Sequence, residues 1–125
     1  MKKTVLLIED DPLILMDVEA TLIDEGFEII TAESGTLAIE TFDAEASRID
    51  AIVTDIRLGS GPNGWDIGHH VREAVPNMPL VYMSGDSSQE WEAQGVPNSI
   101  MVPKPFVHAQ IITALATLMN NPDQN

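Results

Sequence analysis

Hydrophobic and polar positions along this chain switch repeatedly between two rhythms. Val5-Leu6-Leu7-Ile8, Ala51-Ile52-Val53-Thr54, Leu80-Val81-Tyr82-Met83 and Ser99-Ile100-Met101-Val102 are short, near-continuous and partly β-branched apolar runs. They predict buried strands over 4–9, 51–55, 80–83 and 99–102, and Phe27 to Thr31 predicts another. Between the runs, apolar residues recur at helical spacing: Ile14, Val18 and Leu22; Ala38 and Phe42; then Val107, Ile111, Leu115 and Leu118. Asp11-Pro12 supplies an N-cap and a first-turn proline for the first helix, which Gly26 ends. Ser34 caps a helix to about Glu45. A glycine-rich loop, Gly59-Ser60-Gly61-Pro62-Asn63-Gly64, leads into a helix from about Trp65 to Val75. Pro76 and Pro79 bracket the entry to the fourth strand. Ser87 to Gln94 reads as a short, poorly amphipathic helix, and Phe106 to Met119 as the last. Residues 120–125 are polar and read as a frayed, disordered tail.

Five strand–helix units in series imply a single doubly wound α/β domain, with a five-stranded parallel sheet, right-handed crossovers and helices on both faces. The 125 residues suffice for one domain and its core, with no room for a separate output domain. The absence of cysteine excludes disulfides and thiolate metal sites and fits a reducing compartment. The apolar stretch after Met1-Lys2-Lys3-Thr4 is too short for a signal-peptide core or a membrane span, so the chain reads as cytoplasmic with no membrane contact. Twenty acidic residues against six basic ones give a formal charge of −14. Nucleic acid binding rests on neutralising phosphates, so that class of partner is disfavoured.

The candidate chemistry lies where the runs stop. Three of them end on charge: Glu9-Asp10-Asp11 after the first, Asp55 after the third, and Lys104, through Pro103, after the fifth. Neighbouring parallel strands would bring these ends to one sheet edge, where ligands bind in open α/β folds. Carboxylates gathered around one lysine repel each other unless a cation joins them, which points to metal and phosphate chemistry. Capping accounts for Asp11. His69 and His70 are adjacent and so lie about 100° apart on a helix; they and His108 read as surface histidines rather than ligands. Gly59, Gly61 and Gly64 lack the Lys-Ser or Lys-Thr that completes a phosphate-binding loop. Trp65 reads chiefly as packing.

Glu9-Asp10-Asp11-Pro12, Asp55, Ser84-Gly85 and Lys104-Pro105-Phe106 fall at successive strand ends. In that combination and order, the chain resembles the receiver domain of bacterial two-component response regulators, of the stand-alone kind, over essentially its whole length. The resemblance implies a flavodoxin-like strand order 2-1-3-4-5 and a phosphoacceptor at Asp55. It also implies Mg²⁺ held by Asp10 directly, by Glu9 through water, by Asp55, and by the backbone carbonyl of Arg57. Lys104 would pair with Asp55 or with a phosphoryl oxygen, Ser84 would hydrogen-bond the phosphoryl group, and Lys104-Pro105 would be cis. Arg57 and Asp86 would flank the phosphoryl group and slow its hydrolysis. A histidine kinase or histidine phosphotransfer protein would be the donor. A downstream protein would read the result, or the chain would serve as a phosphate shuttle or sink. It would turn over no external substrate.

Two features depart from the pattern. Met101 stands where the family usually carries a switch aromatic, which Tyr82 could replace only with its ring suitably directed. The fourth helix is expected to be irregular, with an atypical output surface. Two other functions compete with this reading. One is a non-phosphorylated pseudo-receiver scaffold. The other is a Mg²⁺-dependent aspartyl-phosphate phosphatase, disfavoured because Arg57 stands where its general acid would be.

Overall fold

The computed structural model describes residues 2–120. The apolar runs form five strands: β1 (Thr4–Ile8), β2 (Glu28–Ala32), β3 (Ala51–Asp55), β4 (Leu80–Ser84) and β5 (Ile100–Pro103). All pair in parallel, in the order β2-β1-β3-β4-β5. β1, β3 and β4 lie inside the sheet and are buried at every position, which is why their sequences are continuously apolar rather than alternating. The edge strands β2 and β5 are only partly buried.

Helices α1 (Pro12–Asp24), α2 (Gly35–Glu45), α3 (Gly64–Ala74), α4 (Trp91–Gln94) and α5 (His108–Met119) follow the strands in turn. Successive side chains of a strand point to opposite faces, and the sheet accordingly separates two cores. Val5, Leu7, Val53, Val81 and Met83 meet α1 and α5 on one face. Leu6, Ile8, Ile52, Leu80 and Tyr82 meet α2 and α3 on the other. No helix among the described residues is long and apolar enough to cross a membrane.

The caps follow sequence logic. Asp11 accepts hydrogen bonds from the amides of Leu13 and Ile14, and Ser34 accepts from Leu37. Asn63 and Asp66 form a reciprocal capping box at α3. Gly26, at φ 95°, takes the left-handed conformation that stops α1.

Several boundaries differ from expectation. The buried residues of α1 are Leu15, Val18 and Leu22, so Val18 and Leu22 face inward as predicted, while Leu15 takes the buried place expected of Ile14, which is only partly covered. The last helix starts at His108, and Val107 is 67% exposed as its N-cap rather than inward. The Val107 amide instead donates to the Gln110 side chain. Ser99 precedes β5; its buried hydroxyl accepts from Trp91 Nε1 and donates to the Val96 carbonyl. α4 is a single turn preceded by a 3-10 turn at Ser88–Glu90, which is the irregularity expected there. The expected tail lies outside the described residues beyond Asn120, the C-cap of α5.

Candidate functional site

Parallel pairing carries the carboxyl ends of β1, β3, β4 and β5 to one edge, and the charged residues follow them. Glu9, just past β1, is 1% exposed, and Asp55, the last residue of β3, is 7% exposed. Asp10 lies exposed at the rim. Carboxylate oxygens of Glu9, Asp10 and Asp55 all fall within 4.8 Å of one another.

Lys104 enters this acidic pocket from the β5 side. Its backbone is fixed, because its amide donates to the Ser84 carbonyl at 2.7 Å and it sits between Pro103 and a cis-linked Pro105. Its ammonium lies 2.9 Å from Glu9 Oε1 and 3.3 Å from Asp55 Oδ2. Asp55 was the partner expected from sequence; Glu9, with the shorter contact, was not. The remaining oxygens are held by local amides. Asp11 N–H donates to Glu9 Oε2 at 3.1 Å, and Ile56 N–H donates to Asp55 Oδ1 at 2.9 Å.

Burial governs the electrostatics. It pushes the Glu9 carboxyl up to about 7, although the Lys104 and Asp11 hydrogen bonds pull the other way. Burial by itself would lower the Lys104 ammonium, but the hydrogen bond to Glu9 and the charges of Asp55 and Glu9 outweigh it. Lys104 therefore stays above the usual lysine range. The ammonium is the firm charge of the pair, and the desolvation cost falls on Glu9.

Ser84 closes the third side. Its buried hydroxyl oxygen accepts hydrogen bonds from the amides of Asp86 at 3.2 Å and Ser87 at 2.6 Å. With both acceptor positions taken, its own proton remains to be donated outward. Ser87 is buried as well, and its hydroxyl donates to Asp86 Oδ1. Nothing in the sequence marked it, since a serine in a turn carries no signal of burial. Asp86 Oδ1 also accepts from Arg57 Nε at 2.9 Å, and this hydrogen bond holds the Asp86 carboxyl below its usual range. Both side chains are exposed, at 71% for Arg57 and 60% for Asp86. Asp55, Arg57, Ser84, Gly85, Asp86 and Lys104 enclose a cleft of about 370 Å³.

Residues set aside from sequence lie elsewhere. His69 contacts the Gln94 carbonyl, His70 pairs with Asp43, and His108 pairs with Asp17. Trp65 is buried and meets Tyr82 edge-on, with ring centroids 4.8 Å apart. Tyr82 is fully buried, its hydroxyl accepting from the Val96 amide. Met101, its neighbour across β4 and β5, packs on the same core.

The fold and this cluster define a class: a doubly wound α/β domain with an acidic pocket and one lysine at the carboxyl edge of its sheet. The chain belongs to the response regulator receiver domain family, whose model matches residues 5–116. It is thus a domain of phosphorylation-based two-component signalling, and receiver domains are in general phosphoacceptors rather than turnover enzymes. Among solved structures, a response regulator receiver protein from Sinorhizobium medicae is 46% identical, with a TM-score of 0.92 and 95% of each chain covered. The receiver domain of the sensor histidine kinase PA1611 from Pseudomonas aeruginosa shares the fold at 23% identity and a TM-score of 0.83. That comparison covers 97% of this chain and all of the other, and in that protein a magnesium ion is coordinated in the active site cleft. A probable transcriptional regulatory protein, TcrX of Mycobacterium tuberculosis, is 30% identical over 93% of this chain and 49% of its own. The chain spans about half, or much less, of the length of the curated relatives it matches.

Proposed function

We propose that this receiver domain takes a phosphoryl group from a histidine kinase or histidine phosphotransfer protein onto Asp55. It then signals by binding another protein in the cytoplasm, or passes the group on as a shuttle or sink. The observation that carries this reading is the meeting at one sheet edge of the Glu9, Asp10 and Asp55 carboxylates, within 4.8 Å of one another, with the Lys104 ammonium in contact with Glu9 and Asp55.

The all-oxygen donor set suits a hard cation that keeps some of its water, and the magnesium ion of the PA1611 receiver domain supports the same choice. Asp10 and Asp55, the Arg57 carbonyl, and Glu9 through water would hold it. When bound, it supplies positive charge against the incoming phosphoryl oxygens.

The chain's own residues account for the remaining steps. One carboxylate oxygen of Asp55 attacks phosphorus in line. A new oxygen–phosphorus bond forms as the phosphorus–nitrogen bond to the donor imidazole breaks, and its electron pair leaves with the imidazole, which takes up a proton. Lys104 donates to a phosphoryl oxygen, and Ser84 donates its free hydroxyl proton to another. Arg57 and Asp86 stand over the cleft where water must approach the product.

Incubation with Mg²⁺ and acetyl phosphate, followed by intact-mass spectrometry, tests this reading. A phosphoryl adduct is expected on the wild type and not on Asp55→Asn. An adduct that survives in the variant moves the phosphoacceptor elsewhere. No adduct on either protein favours a scaffold that is never phosphorylated.

A further inference from the structure

The side chain of Ser87 is turned away from the role its position predicts. Ser87 opens the 3-10 turn at Ser88–Glu90, where a serine oxygen usually accepts from the amides of the first turn. It makes no such cap. The residue is only 3% exposed, and its hydroxyl donates backwards to Asp86 Oδ1 at 3.1 Å. The same oxygen accepts from Arg57 Nε at 2.9 Å. We propose that Ser87 is the positioning residue of the Arg57–Asp86 pair. Its hydroxyl fixes the Asp86 carboxylate from the buried side, holds Arg57 at the mouth of the Asp55 cleft through it, and thereby sets the lifetime of a phosphoryl group there. The inference rests on reading Asp55 as the phosphoacceptor.

Three observations carry it. First, the Arg57 and Asp86 side chains are both exposed, and an ion pair of that kind is weak by itself, since two mobile side chains must be ordered in water. A buried hydroxyl on the shared oxygen orders one of the two in advance. Second, Arg57 has another place to go. It also lines an adjoining cleft of about 530 Å³ whose wall includes Glu90, a competing carboxylate. Which acid holds the guanidinium therefore depends on how firmly Asp86 is fixed. Third, the pair stands at the open side of the site. Asp55 and Ser84 are buried, Gly85 has no side chain, and the Lys104 side chain is 20% exposed, against 71% and 60% for Arg57 and Asp86. Hydrolysis brings a water oxygen to phosphorus in line with the Asp55 oxygen, and so through that side. The new oxygen–phosphorus bond forms as the bond to Asp55 breaks. The electron pair returns to the Asp55 carboxylate, and a proton of the water passes to solvent. Ser87 also touches Ser84, but through its backbone amide, so the hydroxyl can be removed while that bond stays.

The test follows the half-life of the phosphoryl adduct by intact-mass spectrometry, after the intact chain is loaded with Mg²⁺ and acetyl phosphate and the donor is removed. Ser87→Ala is expected to shorten the half-life about two- to threefold, and to add nothing in an Asp86→Ala background, where the acceptor is already gone. A second measurement needs no phosphorylation. The Arg57 Nε–Hε signal in NMR spectra of the unphosphorylated protein is expected to be ordered in the wild type and mobile in Ser87→Ala. Circular dichroism establishes that each variant is folded. An unchanged half-life in Ser87→Ala overturns the inference. So does an equal shortening in both backgrounds, which would be a general loosening of the turn, and so does an Arg57 signal that stays ordered without the hydroxyl. If the wild type takes up no phosphoryl group, the reading of Asp55 falls and the inference with it. If it does, and removing the Ser87 hydroxyl leaves the lifetime unaltered, the inference falls alone.

Discussion

At the scale of single residues, Glu9 bears the largest electrostatic cost of the site. Its burial is useful only with a cation beside it, and Lys104 fills that position from the far end of the chain. That Glu9, Asp55 and Lys104 are functional candidates was legible from their places at the ends of apolar runs. That Lys104 lies nearer Glu9 than Asp55 was not, because the contact joins positions 95 residues apart and depends on side-chain reach across two intervening strands. The Arg57–Asp86 pair belongs to this scale too. Both residues line the cleft that holds Asp55, and under the proposed function the pair would hinder the approach of water to a phosphoryl group there. Arg57→Ala is expected to shorten the phosphoryl half-life a few-fold, followed by loss of the mass adduct after acetyl phosphate is removed. An unchanged half-life removes the shielding role.

At the scale of elements, the junction of α3, β4 and the short α4 is the distinctive part of the molecule. α4 has one turn and no buried residue, so it contributes little to the core. Side-chain bonds hold the segment after it instead. Arg72 donates to the carbonyls of Met78, Pro97 and Asn98, and Tyr82 receives the Val96 amide. The weak periodicity of 87–94 announced a poor helix, but the ties that replace it were not legible, since they run to backbone carbonyls that any sequence possesses. The Tyr82 hydroxyl fits because residue 68 of α3 is glycine; a Cβ there would collide with it. Gly68→Ala is expected to lower stability by about 1–3 kcal/mol through overpacking, against the roughly 1 kcal/mol that alanine contributes in a helix. Denaturant midpoints measure this. In a Tyr82→Phe background, which removes the colliding oxygen, most of the loss should disappear; a persistent loss would place the strain elsewhere.

At the scale of the whole molecule, stability at high pH is tied to that same phenol. Burial holds Tyr82 above its ordinary value of 10.0, with the Val96 hydrogen bond and Arg72 opposing it. The folded state thus favours the neutral phenol. Its contribution to stability is complete below pH 10 and is lost as pH rises through the folded value. Tyr82 is the chain's single tyrosine, so the tyrosinate absorbance reports it alone. That absorbance is expected to appear above pH 10 and to coincide with loss of the circular dichroism signal. Tyrosinate forming near pH 10 in a protein that keeps its native dichroism would contradict the buried, bonded phenol.

The sequence by itself determined the alternation of strands and helices, the parallel sheet, the caps at Asp11 and Ser34, and the residues that reach the sheet edge. These follow from local periodicity and capping chemistry, which act over a few residues and are written in consecutive positions. Tertiary structure decided the burial of Leu15 ahead of Ile14 on α1, the exposure of Val107, the contact of Lys104 with Glu9, the burial of Ser87 and the niche at Gly68. Each of these depends on which side chains meet across distant elements, and such meetings are fixed by the three-dimensional course of the chain rather than by any local pattern.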